Sequence, residues 1–244
     1  MKKALHMLPA HEVPNPSGSS VNKDAVFAAF LQTLKGKRVQ IVAYEGLLAA
    51  VQGRKVVVLG GYSALGYRDL PSLRVLIRNL MKSRGDGVLY VIGATGDGIG
   101  AAYRWIPELS AGLGLRDIRT AGIVSSNACF TGIEDQDFIL FVDTPPGEWS
   151  VVVDGKSMMV DIAADTDGEM VYFRGGAVAK AEIEEALVRK VRVSIVDGYG
   201  TEPDPAKVEA KRSVDAEYVV DGTSALVEVC SRQSGGMDLR WMVG

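Results

Sequence analysis

Three short runs constrain this chain more than anything else in it: KVVVLGG (55–61), VLYVIG (88–93) and EMVYFRGG (169–176). Each is a block of consecutive apolar residues that ends at glycine or one residue short of it. A strand with one face in water alternates apolar and polar residues, so an unbroken run means that both faces are covered. Between these runs lie segments whose apolar residues recur at helical spacing. DLPSLRVLIRNLMKSRGDG (69–87) places Leu70, Leu73, Leu76, Ile77, Leu80 and Met81 on one face and closes on a glycine stop. A further helix is expected near 98–111, and strands within 118–126, 137–144 and 191–200. Strands covered on both faces, alternating with amphipathic helices, predict an α/β fold: a doubly wound, mostly parallel sheet with helices on both faces.

The remaining segments are less regular. Residues 1–23 are rich in Pro, Ser, Asn and Gly and read as a loose arm or strap; 24–35 reads as a helix behind Asp24, and 38–44 as a strand. Residues 148–173 hold a strand, a turn, a helix and a further strand, with a hairpin through Asp154-Gly155 as the alternative. Residues 216–230 read as a helix end plus strand, or as a hairpin through Asp221-Gly222. The expected organisation is an arm, helix and extra strand over 1–53, a main domain over 54–200, and a C-terminal extension over 201–244 packed on that domain.

Charge and composition exclude several functions. A net charge of −3 over 244 residues argues against binding a nucleic-acid polymer. Small nucleotides stay open, because backbone N–H groups bind phosphate without net basicity. No run approaches the roughly 18 apolar residues of a membrane span, and the first residues lack the apolar core of a signal peptide. Cys129 and Cys230 lie far apart in sequence, which speaks against a disulfide framework or a cysteine zinc site. His6 and His11, the only histidines, both fall in the arm, leaving no histidine-based metal site or Ser-His-Asp triad in the core. A soluble cytoplasmic protein with no membrane partner and no metal is expected.

In such sheets ligands bind beyond the carboxyl ends of the strands. Three glycine-rich turns fall there: GGYSALGY (60–67), GATGDGIG (93–100) and RGGAVAKAE (174–182). Small residues let backbone N–H groups approach a phosphate or ribose, and a following helix adds its positive end. The candidate ligand-binding residues are Gly60, Gly61 and Ser63; Gly93, Thr95, Gly96 and Gly98; and Arg174, Gly175 and Gly176. Arg174 offers two parallel donors to a phosphate. TGDGIG (95–100) is similar to the turn of short-chain dehydrogenases, but it has one residue between the first glycine and Gly-Ile-Gly where that family has three. No tyrosine here has lysine four residues later, so NAD(P)-dependent hydride transfer is a minor alternative. DGKS (154–157) lacks the first glycine of a P-loop, since position 150 is Ser150.

KVVVLGG with Tyr62-Ser63, the helix ending KSRGDG, VLYVIGATGDGIGAA, RTAGIVSS and DGEMVYFRGGAVAKAEIEEAL together resemble the LONELY GUY (LOG) proteins of the SLOG superfamily. The resemblance covers about 54–200 and implies a Rossmann-like nucleotide-binding domain, a homodimer and no required cofactor. That family's last motif is Pro-Gly-Gly-x-Gly-Thr-x-x-Glu. Its central glycines fall on Gly175 and Gly176, and its acid falls on Glu182, which the resemblance makes the catalytic candidate for breaking an N-glycosidic bond. The chain has Arg174 for the proline, Val178 for the third glycine and Ala179 for the threonine; the family's Arg-Lys pair falls near Met158 and Met159. These replacements favour binding of a nucleotide or nucleotide-derived small molecule, as sensor, carrier or degenerate enzyme. The alternative is a phosphoribohydrolase-like enzyme that releases a base from a nucleoside monophosphate.

Overall fold

The computed structural model describes residues 12–14, 20–22, 36–63, 65–93, 96, 98–125, 136–144, 150–213 and 221–223, with a few single positions between 28 and 34. Expectations for Asp24, His6, His11, Cys129, Cys230 and most of 216–230 lie outside these residues. Within 1–23 two short strands, β1 (Glu12–Pro14) and β2 (Ser20–Asn22), pair antiparallel.

The fold is α/β and Rossmann-like. Its sheet has seven parallel strands: β3 (Gln40–Ile41), β4 (Lys55–Gly61), β5 (Val88–Gly93), β6 (Arg119–Ser125), β7 (Phe138–Val142), β10 (Glu169–Phe173) and β11 (Arg192–Val196). Their order across the sheet is β11-β10-β4-β5-β6-β7-β3. Alternate side chains of β4, β5 and β10 feed two cores. Val57, Leu59, Tyr90, Ile92, Val171 and Phe173 pack with α2 (Leu70–Arg84) and α3 (Ala102–Leu113). Val56, Val58, Leu89, Val91, Met170 and Tyr172 pack with α1 (Tyr44–Val51), α4 (Met158–Asp165) and α5 (Ala177–Val188). This two-sided burial is why the strands read as unbroken apolar runs.

Local chemistry sets the element ends. Asp69 caps α2 by accepting from Ser72 N at 3.1 Å and Ser72 Oγ at 2.8 Å, Pro71 sits in the first turn, and Gly85 ends the helix at φ 75°. Arg84, in the last turn, grips Glu169 at the start of β10 through two parallel N–H donors. Asp154 and Gly155 both take positive φ, 51° and 74°, and close a hairpin between β8 (Val152–Val153) and β9 (Lys156–Ser157). That is the hairpin alternative, and it removes any phosphate loop at DGKS.

One expectation is corrected. The strand predicted over 38–44 is limited to Gln40–Ile41, and Tyr44 already opens α1. Tyr44, Leu47 and Val51 are buried one and two turns apart, and the Tyr44 hydroxyl donates to Asp165 at 2.8 Å. Helical burial of that face overrides the β-like run before it. Through β3 and α1, the first 53 residues add an edge strand and a helix to the sheet. At the other end, Arg68 N donates to Glu202 O at 2.9 Å, and Val208 of α6 (Pro205–Arg212) packs against the α2–α3 core. Among the described residues no helix is long and apolar enough to cross a membrane.

Candidate ligand site at the carboxyl rim

Strand order reverses between β4 and β10. From β4 the chain crosses through α2 to β5 on one side; from β10 it crosses through α5 to β11 on the other. Such a reversal splays the two connecting loops apart and leaves a crevice beyond the strand ends. Tyr172 pairs with Gly60 and Phe173 with Gly61, so the first and third glycine-rich turns stand side by side at this point.

The structure shows what fills the space beside each small residue. A Cβ on Gly60 would stand 2.1 Å from the Tyr172 ring, and one on Gly61 would stand 2.0 Å from the Tyr67 hydroxyl. That hydroxyl donates to Phe173 O at 2.9 Å and accepts from Tyr62 N at 3.0 Å, tying the turn after β4 to the end of β10. Gly60 and Gly61 therefore seat two tyrosines of the protein itself. Gly98, at φ 58°, brings its α-carbon against the backbone of Tyr62 and Ser63, and Ile99 N donates to Tyr62 O at 2.8 Å. The second turn is thus docked on the first. Thr95 lies outside the described residues.

Gly93 differs from these. It sits one residue beyond the Leu59–Ile92 pair, and on the same face as Gly60 because Val58 and Val91 share one core. Among the described residues nothing lies within 4 Å of where its Cβ would stand. Among the described residues, then, no side chain covers Gly93, whereas the Tyr172 ring covers Gly60.

The third turn is held by charge. Arg174 takes φ 50°, in the left-handed region that a side chain seldom adopts, and its Nε donates to Asp197 Oδ1 at 2.6 Å. Asp221 stands 3.8 Å from its Nη1. The guanidinium expected to clamp a phosphate is already faced by two carboxylates of the chain. Gly175 packs on Ala179 and accepts from Gly222 N at 2.9 Å. A Cβ on Gly222 would stand 2.6 Å from Gly176 O and 3.2 Å from Ala177 N, so the 221–223 turn lies over the start of α5.

Glu182 points elsewhere. Its Oε2 accepts from the Tyr172 hydroxyl at 2.9 Å, and its Oε1 from Ser157 Oγ at 3.1 Å. Ser157 is also the N-cap of α4, and its N donates to Glu185 Oε2 at 2.9 Å. Loss of water around the half-buried Glu182 pushes its pKa up to about 7, and nearby Glu185 adds to this; the two hydroxyl donors pull the other way. Behind this group Arg189 binds Asp161 at 2.7 Å and Glu185 at 3.2 Å. Tyr172 and Ser157 are partners of Glu182 that its sequence neighbourhood does not mark. The visible signal for Ser157 was its place just before an apolar helical run; Tyr172 was hidden inside a strand. Chemically the pair can hold a carboxyl group that is half protonated near neutrality, one phenol away from Gly60.

No protein-family model and no curated protein matches the sequence. Among solved structures, the chain is similar to the molybdenum cofactor carrier protein of Chlamydomonas reinhardtii, with 16% identity and a TM-score of 0.42 over 74% of this chain and 99% of that one.

Proposed function

We propose that this protein binds a nucleotide or nucleotide-derived small molecule at the carboxyl rim, over Gly93 and between the turns after β4 and β10. The observation that carries this reading is the reversal of strand order between β4 and β10 beside Gly93, a small residue that no described side chain covers. Around it stand the Tyr172 ring, over Gly60, and Arg174, a guanidinium faced by Asp197 and Asp221. An incoming phosphate competes with Asp221 for it, and this favours a carrier or sensor that exchanges its ligand.

AMP at about a hundredfold over its dissociation constant is expected to stabilise the protein by about 2.7 kcal/mol, read as a rise in melting temperature. Gly93→Val is expected to melt like the wild type without ligand, because no described residue lies within 4 Å of where its Cβ would stand, and to lose most of the AMP-induced rise. Equal rises in both proteins would place the ligand elsewhere.

A second reading, N-glycosidic cleavage of a nucleoside monophosphate, is favoured by one observation: Glu182, with a pKa of about 7, can exchange a proton at neutral pH. Free adenine released from AMP, and absent with Glu182→Gln, is the result that reading expects. AMP-induced stabilisation without adenine leaves the binder.

A further inference from the structure

A cleft of about 620 Å³ opens at the amino ends of β6 and β7, at the opposite end of the strands from the carboxyl rim. Its walls include Ile106 and Pro107 of α3, Arg119 and Asp137 at the strand starts, Arg38 before β3, and Gln136. Its size suits a small molecule.

Gln136 is the unusual member. It is only 3% exposed, yet among the described residues neither its Oε1 nor its Nε2 has a hydrogen-bond partner. Space has been made for this amide: a Cβ on neighbouring Gly122 would stand 1.8 Å from Gln136 Oε1. A buried carboxamide with both ends unpaired costs stability, and such groups in native proteins call for a reason. The other polar groups nearby are matched. Arg119 binds Asp137 at 2.8 Å, Asp137 also accepts from Thr120 N at 2.9 Å, and Asp117 binds Arg54 at 2.7 Å. Arg38 is exposed, with no ion pair among the described residues.

A carboxamide forms two bonds to one partner when that partner shows a donor and an acceptor side by side on one edge. A nucleobase does so, as in the pairing of glutamine with adenine, whereas a trans peptide bond points the two in opposite directions. A phosphate on the same ligand suits a free guanidinium. We propose that this cleft is a second binding site, for a base-bearing organic anion of the nucleoside monophosphate class, with the Gln136 carboxamide turning out from its buried place over Gly122 to pair the base edge and Arg38 pairing the anionic group.

The ligand class is shared with the carboxyl rim, so the test is run in Gly93→Val protein, where the rim is obstructed. AMP, UMP, adenosine and ribose 5-phosphate are titrated by calorimetry. AMP or UMP is expected to bind, with ribose 5-phosphate at least tenfold weaker. Adding Gln136→Leu is expected to weaken the nucleotide at least tenfold while raising the melting temperature of the free protein. Adding Arg38→Ala is expected to weaken the nucleotide but not adenosine. No nucleotide binding in Gly93→Val protein overturns the cleft site, and if the wild type binds, the rim reading stands. Nucleotide binding undiminished by Gln136→Leu, or a melting temperature lowered by it, also overturns the cleft site. Binding equal in wild type and Gly93→Val but lost in Gln136→Leu supports the cleft and overturns the rim.

Discussion

Gly98→Ala is expected to destabilise the protein by about 3 kcal/mol, the sum of strained backbone, overpacking and a lost hydrogen bond. The residue holds φ 58°, where a side chain is strained whatever the space. Its new Cβ would stand 2.0 Å from Tyr62 O and 2.6 Å from Ser63 O. Both obstacles are backbone atoms, which cannot rotate aside as a long side chain can. Relief requires the second turn to lift off the first, breaking the bond from Ile99 N to Tyr62 O. In a chain of this size the melting temperature should fall by roughly 6–12 °C. Gly93→Ala is the control, expected within about 0.5 kcal/mol of wild type because nothing described lies within 4 Å of its Cβ. Thermal and urea unfolding check both. A Gly98→Ala protein as stable as wild type would mean that the two turns are not docked as described.

The second large effect is a pH dependence of stability that belongs to Glu182. Its ordinary pKa is 4.5, and in the fold it rises to about 7. Between these values the folded protein holds a proton that the unfolded chain has released. Stability therefore falls as pH rises through that window and is flat above it. A shift of this size corresponds to about 3 kcal/mol at most, reduced because the side chain is not wholly shut off from water. Glu182→Gln keeps the shape and an acceptor for one hydroxyl while removing the titration. Urea unfolding at pH 5 and pH 8 is expected to show wild type losing about 2 kcal/mol more than the variant across that range. Parallel profiles for the two proteins would show that Glu182 is solvated, and would remove the observation that favours N-glycosidic cleavage.

The parallel sheet was legible in the sequence because burial on both faces leaves a direct mark, the unbroken apolar runs of β4, β5 and β10. The ends of α2 were legible for a similar reason: Asp69, Pro71 and Gly85 act on their own neighbours. α1 was not legible, because Tyr44, Leu47 and Val51 follow a β-like run and gain their helical periodicity only where they meet the sheet. The three turns were found by their glycines, but what fills the space beside each glycine was not. Tyr172 reaches Gly60, and Asp197 and Asp221 reach Arg174, only across strand pairings and crossovers that local pattern does not encode. Gln136 was missed for the same reason. A glutamine before a strand carries no signal until Gly122 of the adjacent strand is placed beside it.

We propose above that a nucleotide-type ligand sits at the carboxyl rim where strand order reverses. Amide hydrogen exchange with and without saturating AMP tests it most directly, because it reports position. Slowed exchange is expected at residues 60–63 and 174–178, and around Gly93, when AMP is bound. Unchanged exchange at all of these amides, with AMP bound and protection confined to 117–120 and 136–137 around the Gln136 cleft, would contradict it.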